Sequence, residues 1–299
     1  MTTVPIGFKN RLAALMRGRF PDLDGGRGIG AGKPLPTATG QPAASARRGL
    51  NWRRMLPLFT MALALGGCVW LHVLELKNQI TEFDTNFTVK VTDHFTVHFL
   101  NPVLHADDYF TLAKVEPTKK TTTPEGSRWT QVFTKLDAAG KAETKKTVVF
   151  TFDFNKEDLL GKWDFSPSFL VFMPPKFLEA AIRSLGKSKV NTDERQVQVA
   201  PEDLPKVRAE QPTREKIYAT LGKPSEISEE DGMTMEVYRF RTETTYVKEE
   251  YQTRHQAYAN MYYQHGSDIV EKVNARFLGL KFAVDFRNFI ELRAAGKSN

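Results

Sequence analysis

Two histidines four residues apart, His94 and His98, and the acidic triplet Glu229-Glu230-Asp231 come nearest to metal-binding chemistry in this chain. A metal site needs three or more converging ligands. Alternation of polar and apolar residues over 86–91 and 94–99 predicts two strands about the turn Thr92-Asp93, which places both histidines on one face. No CxxC, HExxH or neighbouring carboxylate cluster adds further ligands, so these histidines are expected to be paired or exposed. The acidic triplet lacks the alternation and closing Glu of a calcium loop and reads as a solvated turn ending at Gly232. Gly28-Ile29-Gly30 has neither a strand before it nor a helix after it, as a phosphate loop requires. No G-x-S-x-G elbow is present. The sequence therefore assigns no catalytic residue, no metal and no cofactor, and the expectation is a protein that is not an enzyme.

The remaining chemistry belongs to Cys68, the one cysteine of 299 residues, which excludes a disulfide framework. Arg53-Arg54 precedes an apolar run from Leu56 to Leu65 that closes on small residues, the pattern of an export signal. Leu65-Gly66-Gly67-Cys68 resembles the lipobox of bacterial lipoproteins. That resemblance implies cleavage before Cys68 by signal peptidase II, with Leu65, Gly66 and Gly67 recognised by it, and acyl chains on the cysteine. Val69 is not the aspartate associated with inner-membrane retention, which points to the outer membrane. A rival use of the same residues is an uncleaved anchor. Met55 to Leu74 makes about twenty largely apolar residues, enough to span a bilayer core, and arginines 47, 48, 53 and 54 would hold its start in the cytoplasm. Both readings put the C-terminal mass outside the inner membrane.

Charge excludes a nucleic-acid partner for that mass. The formal net charge is +7, but ten of the 42 Lys/Arg and only two of the 35 Asp/Glu lie in residues 1–68. The body keeps 32 basic and 33 acidic residues, with no broad footprint for phosphate backbones.

The elements that must position any site follow in order. Residues 1–52, rich in Gly and Pro, read as a disordered leader or a mis-assigned start, and 53–68 as the signal. Apolar spacing predicts a short amphipathic helix over 71–83. After the hairpin at 86–99, strands are expected at 128–136 and 145–154, and a helix opens at Pro174-Pro175 and stops at Gly186. Residues 69–200 form a first α+β module and 201–299 a second. In the second, Thr213 caps a helix through Ile217, Tyr218 and Leu221 that Gly222 and Pro224 end. Strands are expected at 233–240 and 242–248, and a last one in 278–289; the tyrosine-rich stretch 251–263 fits strand or helix.

Residues 106–117 and 213–224 share an order of polar cap, short helix and proline exit, each followed by a loop reaching glycine (Gly126, Gly232) and an apolar strand, at an offset of about 107. The second copy, with Leu221-Gly222-Lys223-Pro224 and Val237-Tyr238-Arg239-Phe240, resembles the SmpA/OmlA family of small lipoproteins of the outer-membrane β-barrel assembly machinery. The same architecture, duplicated, occurs in the β-lactamase-inhibitor protein. The resemblance covers about thirty residues and implies an α+β fold, an antiparallel sheet with helices on one face, arranged as two tandem repeats and used to bind proteins. Trp129, Trp163, Tyr258 and Tyr262 are the candidate protein-binding residues, with core packing as their alternative role. The function expected is a lipid-anchored envelope lipoprotein with a periplasmic protein-binding body. A single-pass inner-membrane protein, or an envelope ligand carrier or enzyme, is the alternative.

Overall fold

The computed structural model describes residues 69–191, 196–198, 204–244 and 255–289. Cys68, the lipobox and the leader lie outside them, as does most of the strand expected at 242–248. The body is α+β and dominated by one curled antiparallel sheet.

Residues 69–81 form helix α1, which buries Ile80 and leaves Leu71 and Leu74 exposed. The hairpin follows, with β1 at Phe87–Val91 and β2 at Phe95–Phe99. Helix α2 (Ala106–Ala113) leads to β3 (Lys119–Thr123), β4 (Gly126–Leu136), β5 (Ala142–Asn155) and β6 (Leu160–Phe165). Pro175 at the first turn of α3 (Pro175–Ser184) has no intrahelical N–H to lose, and Phe177 and Leu178 are buried. Gly186 lies just past that helix because a Cβ there would come within 2.9 Å of the Thr81 backbone nitrogen at the end of α1. A small two-stranded sheet, β7 (Lys189–Asn191) with β8 (Gln196–Gln198), precedes the second half.

Helix α4 (Arg214–Leu221) is capped by Thr213, whose hydroxyl accepts the Lys216 N–H, and Gly222 ends it in a positive-φ conformation. Strands β9 (Glu226–Glu230), β10 (Met233–Thr242), β11 (Gln256–Tyr263), β12 (Val270–Phe277) and β13 (Leu280–Asp285) complete the chain. Of the ambiguous tyrosine stretch, Gln256–Tyr263 is thus a strand. So is Val270–Phe277, for which the sequence carries no strand pattern.

The sheet order is β1-β2-β6-β5-β4-β10-β11-β12-β13, with β3 pairing β4 and β9 pairing β10. The junction is the antiparallel pair β4–β10, in register from Phe133↔Thr242 to Leu136↔Arg239. About that junction the two halves carry the same order: helix, short strand, then three long antiparallel strands. They also share backbone ties. The Ala106 N–H donates to Asp158 O and the Arg214 N–H to Asp268 O; the Leu160 N–H donates to Leu104 O and the Val270 N–H to Pro212 O. Each tie fixes a helix start to the beginning of the third long strand of its half.

One face of the sheet carries the core. Phe133, Phe150, Phe165, Phe240 and Phe277 are each 4% exposed or less and meet mainly edge to face, with Phe169 against Phe150, Phe165 and Phe277. The opposite face is polar along β2, β6, β5 and β4, where Thr96, Asp164 and Thr151 pair across strands.

Candidate functional site

Trp129 and Trp163 lie in one cross-strand row, Trp129↔Phe152↔Trp163↔Val97, on the core face. Trp129 is 8% exposed and packs against Tyr109, Phe110 and Phe154. Trp163 stacks between Phe152 and Phe165, with its Nε1 buried and without a partner. Both rings occupy the packing positions that were their alternative role.

Tyr258 and Tyr262 are placed differently. On β11 the alternate residues Ala257, Ala259, Met261 and Tyr263 are buried in the core, so Tyr258, Asn260 and Tyr262 lie on the other face; Tyr258 is half-buried there, and Tyr262, at 5% exposed, is buried. Three rows result. Tyr258 stands between Arg239 on β10 and Arg276 on β12, Asn260 between Val237 and Asn274, and Tyr262 between Met235 and Lys272. The Arg276 guanidinium lies 5.5 Å from the Tyr258 ring centre and the Lys272 ammonium 4.9 Å from that of Tyr262, both within cation–π range. Tyr262 donates to Glu230 Oε2 at 3.1 Å and accepts from Asn274 Nδ2 at 3.2 Å. Burial first, then the Glu230 carboxylate, push its hydroxyl up to about 12. In the middle row the side-chain oxygens of Asn260 and Asn274 are buried and have no donor. An unpaired buried acceptor costs about 1–3 kcal/mol, so these two mark the row as incompletely satisfied.

Beneath the same strands lies a buried carboxylate that sequence reasoning missed. Glu236 is 2% exposed; its Oε1 accepts from Arg214 Nε at 2.8 Å and from the Tyr218 hydroxyl at 2.8 Å. Arg214 also holds Asp268 and covers the Tyr263 ring at 4.1 Å. Burial first, then Glu236, push Tyr218 up to about 12 and Tyr263 well above the usual phenol range. In the first half Tyr109 on α2 likewise donates its hydroxyl to a buried acceptor on the long strand, Gln131 Oε1, at 2.6 Å. In both halves the bond fastens a helix to the sheet. A lone Glu inside a strand pattern gives no signal of this.

His94 precedes β2 and its Nδ1 lies 2.6 Å from Asp164 Oδ1, while His98 sits on the outward face between Thr88 and Lys162. Glu230-Asp231-Gly232 forms the β9–β10 turn, with φ of 52° at Asp231 and 74° at Gly232 as a tight hairpin turn requires. Among the described residues no three His, Cys, Asp or Glu side chains group as metal ligands, and no helix is long and apolar enough to cross a membrane. Cys68 and its lipobox lie outside the described residues. No family model matches the chain, and neither a curated protein nor a solved structure matches it.

Proposed function

We propose that the chain is a bacterial envelope lipoprotein, triacylated at Cys68, whose body faces the periplasm from the outer membrane and binds protein partners in outer-membrane assembly or maintenance. The observation that carries the anchor is Leu65-Gly66-Gly67-Cys68 at the end of a basic and then apolar run. More than one acyl chain makes such anchoring stable. Helix α1 follows that residue directly, and its thirteen residues span about 20 Å. His72 Nδ1 lies 2.8 Å from Asp108 Oδ2, and Ile80 is buried, so the lipid would be held close to the body.

Protein binding is supported by the partly exposed row Arg239–Tyr258–Arg276 across β10–β12, Tyr and Arg being enriched at interfaces. Duplication of one module, with helices on a single face of the sheet, is the architecture we infer. Its support is the shared element order, the paired backbone ties and the matching Tyr109–Gln131 and Tyr218–Glu236 bonds. The SmpA/OmlA resemblance remains carried by residues 213–240.

Membrane fractionation tests the anchor. After an alkaline wash the wild type should stay with the membrane, Cys68→Ala should be released, and globomycin should accumulate the precursor. Retention of Cys68→Ala through the wash would favour a single-pass anchor over 55–74 instead.

A further inference from the structure

We propose that the exposed side of the first two turns of α1 lies in the membrane interface, a second contact with lipid beside the acyl chains on Cys68. This rests on the lipid-anchor reading and adds a surface of the body to it.

Helical spacing divides α1 into two sides. His72, Leu76 and Ile80 form the side against the body: His72 meets Asp108, Leu76 packs on the core and Ile80 is buried. Leu71, Leu74, Glu75 and Asn78 form the other side, and all of them are exposed. A helix lying on a domain in water carries polar residues along that whole side. In α1 only the far end is polar, and the two positions nearest Cys68 are leucine. Residues 69–74 hold no Asp, Glu, Lys or Arg. Leu71, at 64%, is the most exposed large apolar side chain among the described residues, and Leu74 follows one turn later at 39%. The others, Val91, Leu100, Ile227, Ile269 and Leu280, stand apart with no two on one element, as scattered surface residues do.

Position selects lipid over a protein partner. Leu71 and Leu74 stand three and six residues beyond Cys68, about 4.5 and 9 Å along a helix. An amphipathic helix in the interface buries its apolar side about 5–10 Å into the boundary of headgroups and acyl chains, and acyl chains on Cys68 would begin at that boundary. Both leucines are therefore within reach of lipid wherever the anchor holds, and Glu75 and Asn78 mark where the side returns to water. Trp70, half-buried beside them, is of the type enriched at that level. With the opposite side fixed to Asp108, lipid on this one would set how the body is turned toward the membrane.

The test is fluorescence quenching of the acylated protein in phosphatidylcholine vesicles. Cys68 acylated through its sulfur takes no dye, so a thiol-reactive dye reports one introduced cysteine at a time: Leu71→Cys, Leu74→Cys, Asn78→Cys or Ile227→Cys. At 71 and 74 the dye should lose about half its emission or more to phosphatidylcholine spin-labelled near the top of one acyl chain, and should resist iodide in the water. At 78 and 227 the order should reverse. Ile227, 59% exposed on β9, controls for any exposed apolar position. Unchanged thermal melting of each variant guards against misfolding, and intact mass reads the acyl chains.

Dye at 71 and 74 that iodide reaches, on a chain whose mass shows acyl groups, overturns the proposal and leaves the lipid anchor standing. Equal quenching by the spin label at 71 and 227 does the same. A chain without acyl groups that retains Met55 to Leu74 removes the lipid-anchor reading and the proposal with it.

Discussion

The hydroxyl of Ser225 accepts the backbone N–H of Arg239 at 3.1 Å, and 107 positions earlier the hydroxyl of Thr118 accepts the N–H of Val132 at 3.0 Å. Both hydroxyls follow a proline, Pro224 and Pro117. Strand β10 pairs with β9 up to Val237 and with β4 from Arg239, while β4 pairs with β3 up to Thr130 and with β10 from Phe133. Each hydroxyl therefore satisfies a donor where one partner strand hands over to the next. Ser225→Ala and Thr118→Ala should each cost about 1–2 kcal/mol, with Ser225→Thr and Thr118→Ser nearly neutral. Chemical denaturation reads both; an alanine variant with unchanged midpoint contradicts the assignment.

Lys135 points into the core face opposite Phe240 and is 1% exposed. Its ammonium meets Glu143, which also accepts from Lys146 at 2.9 Å. Removing the carboxylate leaves a buried charge without compensation, so Glu143→Gln should cost about 3 kcal/mol or more. Lys135→Met keeps the volume and removes the charge, and should be neutral within about 1 kcal/mol. Equal losses in the two variants, by denaturation midpoint, would refute this asymmetry.

Gly126 and Gly140 both have positive φ, yet only one is crowded. A Cβ on Gly126 would stand 2.1 Å from Phe154 O, against nothing within 4 Å at Gly140. Gly126→Ala should lose about 3 kcal/mol or more, because strain and a backbone clash add. Gly140→Ala carries the φ penalty alone, about 1–2 kcal/mol. Thermal melting separates the two, and the reverse order would show that the β3–β4 turn is not held as described.

Stability should form a plateau in pH bounded by different groups. Hydrogen bonds from Lys135 and Lys146 hold the Glu143 carboxyl below the usual range; burial opposes the same shift at Asp153, but Arg128 and Lys162 prevail. These depressed groups contribute stability present above about pH 4 and lost as pH falls through their folded values. His255 is lowered by burial first and by Arg241, so its contribution begins to fade below about pH 6.5. Burial raises Tyr109 and Tyr238, and raises Tyr262 to about 12. Stability from the tyrosines is complete below about pH 10 and is lost as pH climbs through the folded values. Denaturation midpoints from pH 3 to 11 should decline at both ends, and a midpoint still rising above pH 10 contradicts the buried phenols.

Much of the scaffold is written locally. Alternation in Phe87–Val91 and Phe95–Phe99 defines the first hairpin, and Thr213, Gly222 and Pro224 bracket α4. Strand β12 was not legible because Glu271, Lys272 and Arg276 dilute its apolar residues, and only pairing with β11 and β13 makes it a strand. The outward row of Tyr258 with Arg239 and Arg276 joins residues far apart in sequence and depends on register, which composition does not carry. Burial of Lys135 and Glu236 is likewise invisible until the partners Glu143 and Arg214 are placed.

The central claim is the lipid on Cys68, and intact mass of the membrane-extracted protein tests it most directly. We expect the wild-type mass to equal residues 68–299 plus acyl chains, and the acylated species to be absent in Cys68→Ala. An unacylated mass that retains Met55 to Leu74 would contradict the account and make that stretch a transmembrane anchor.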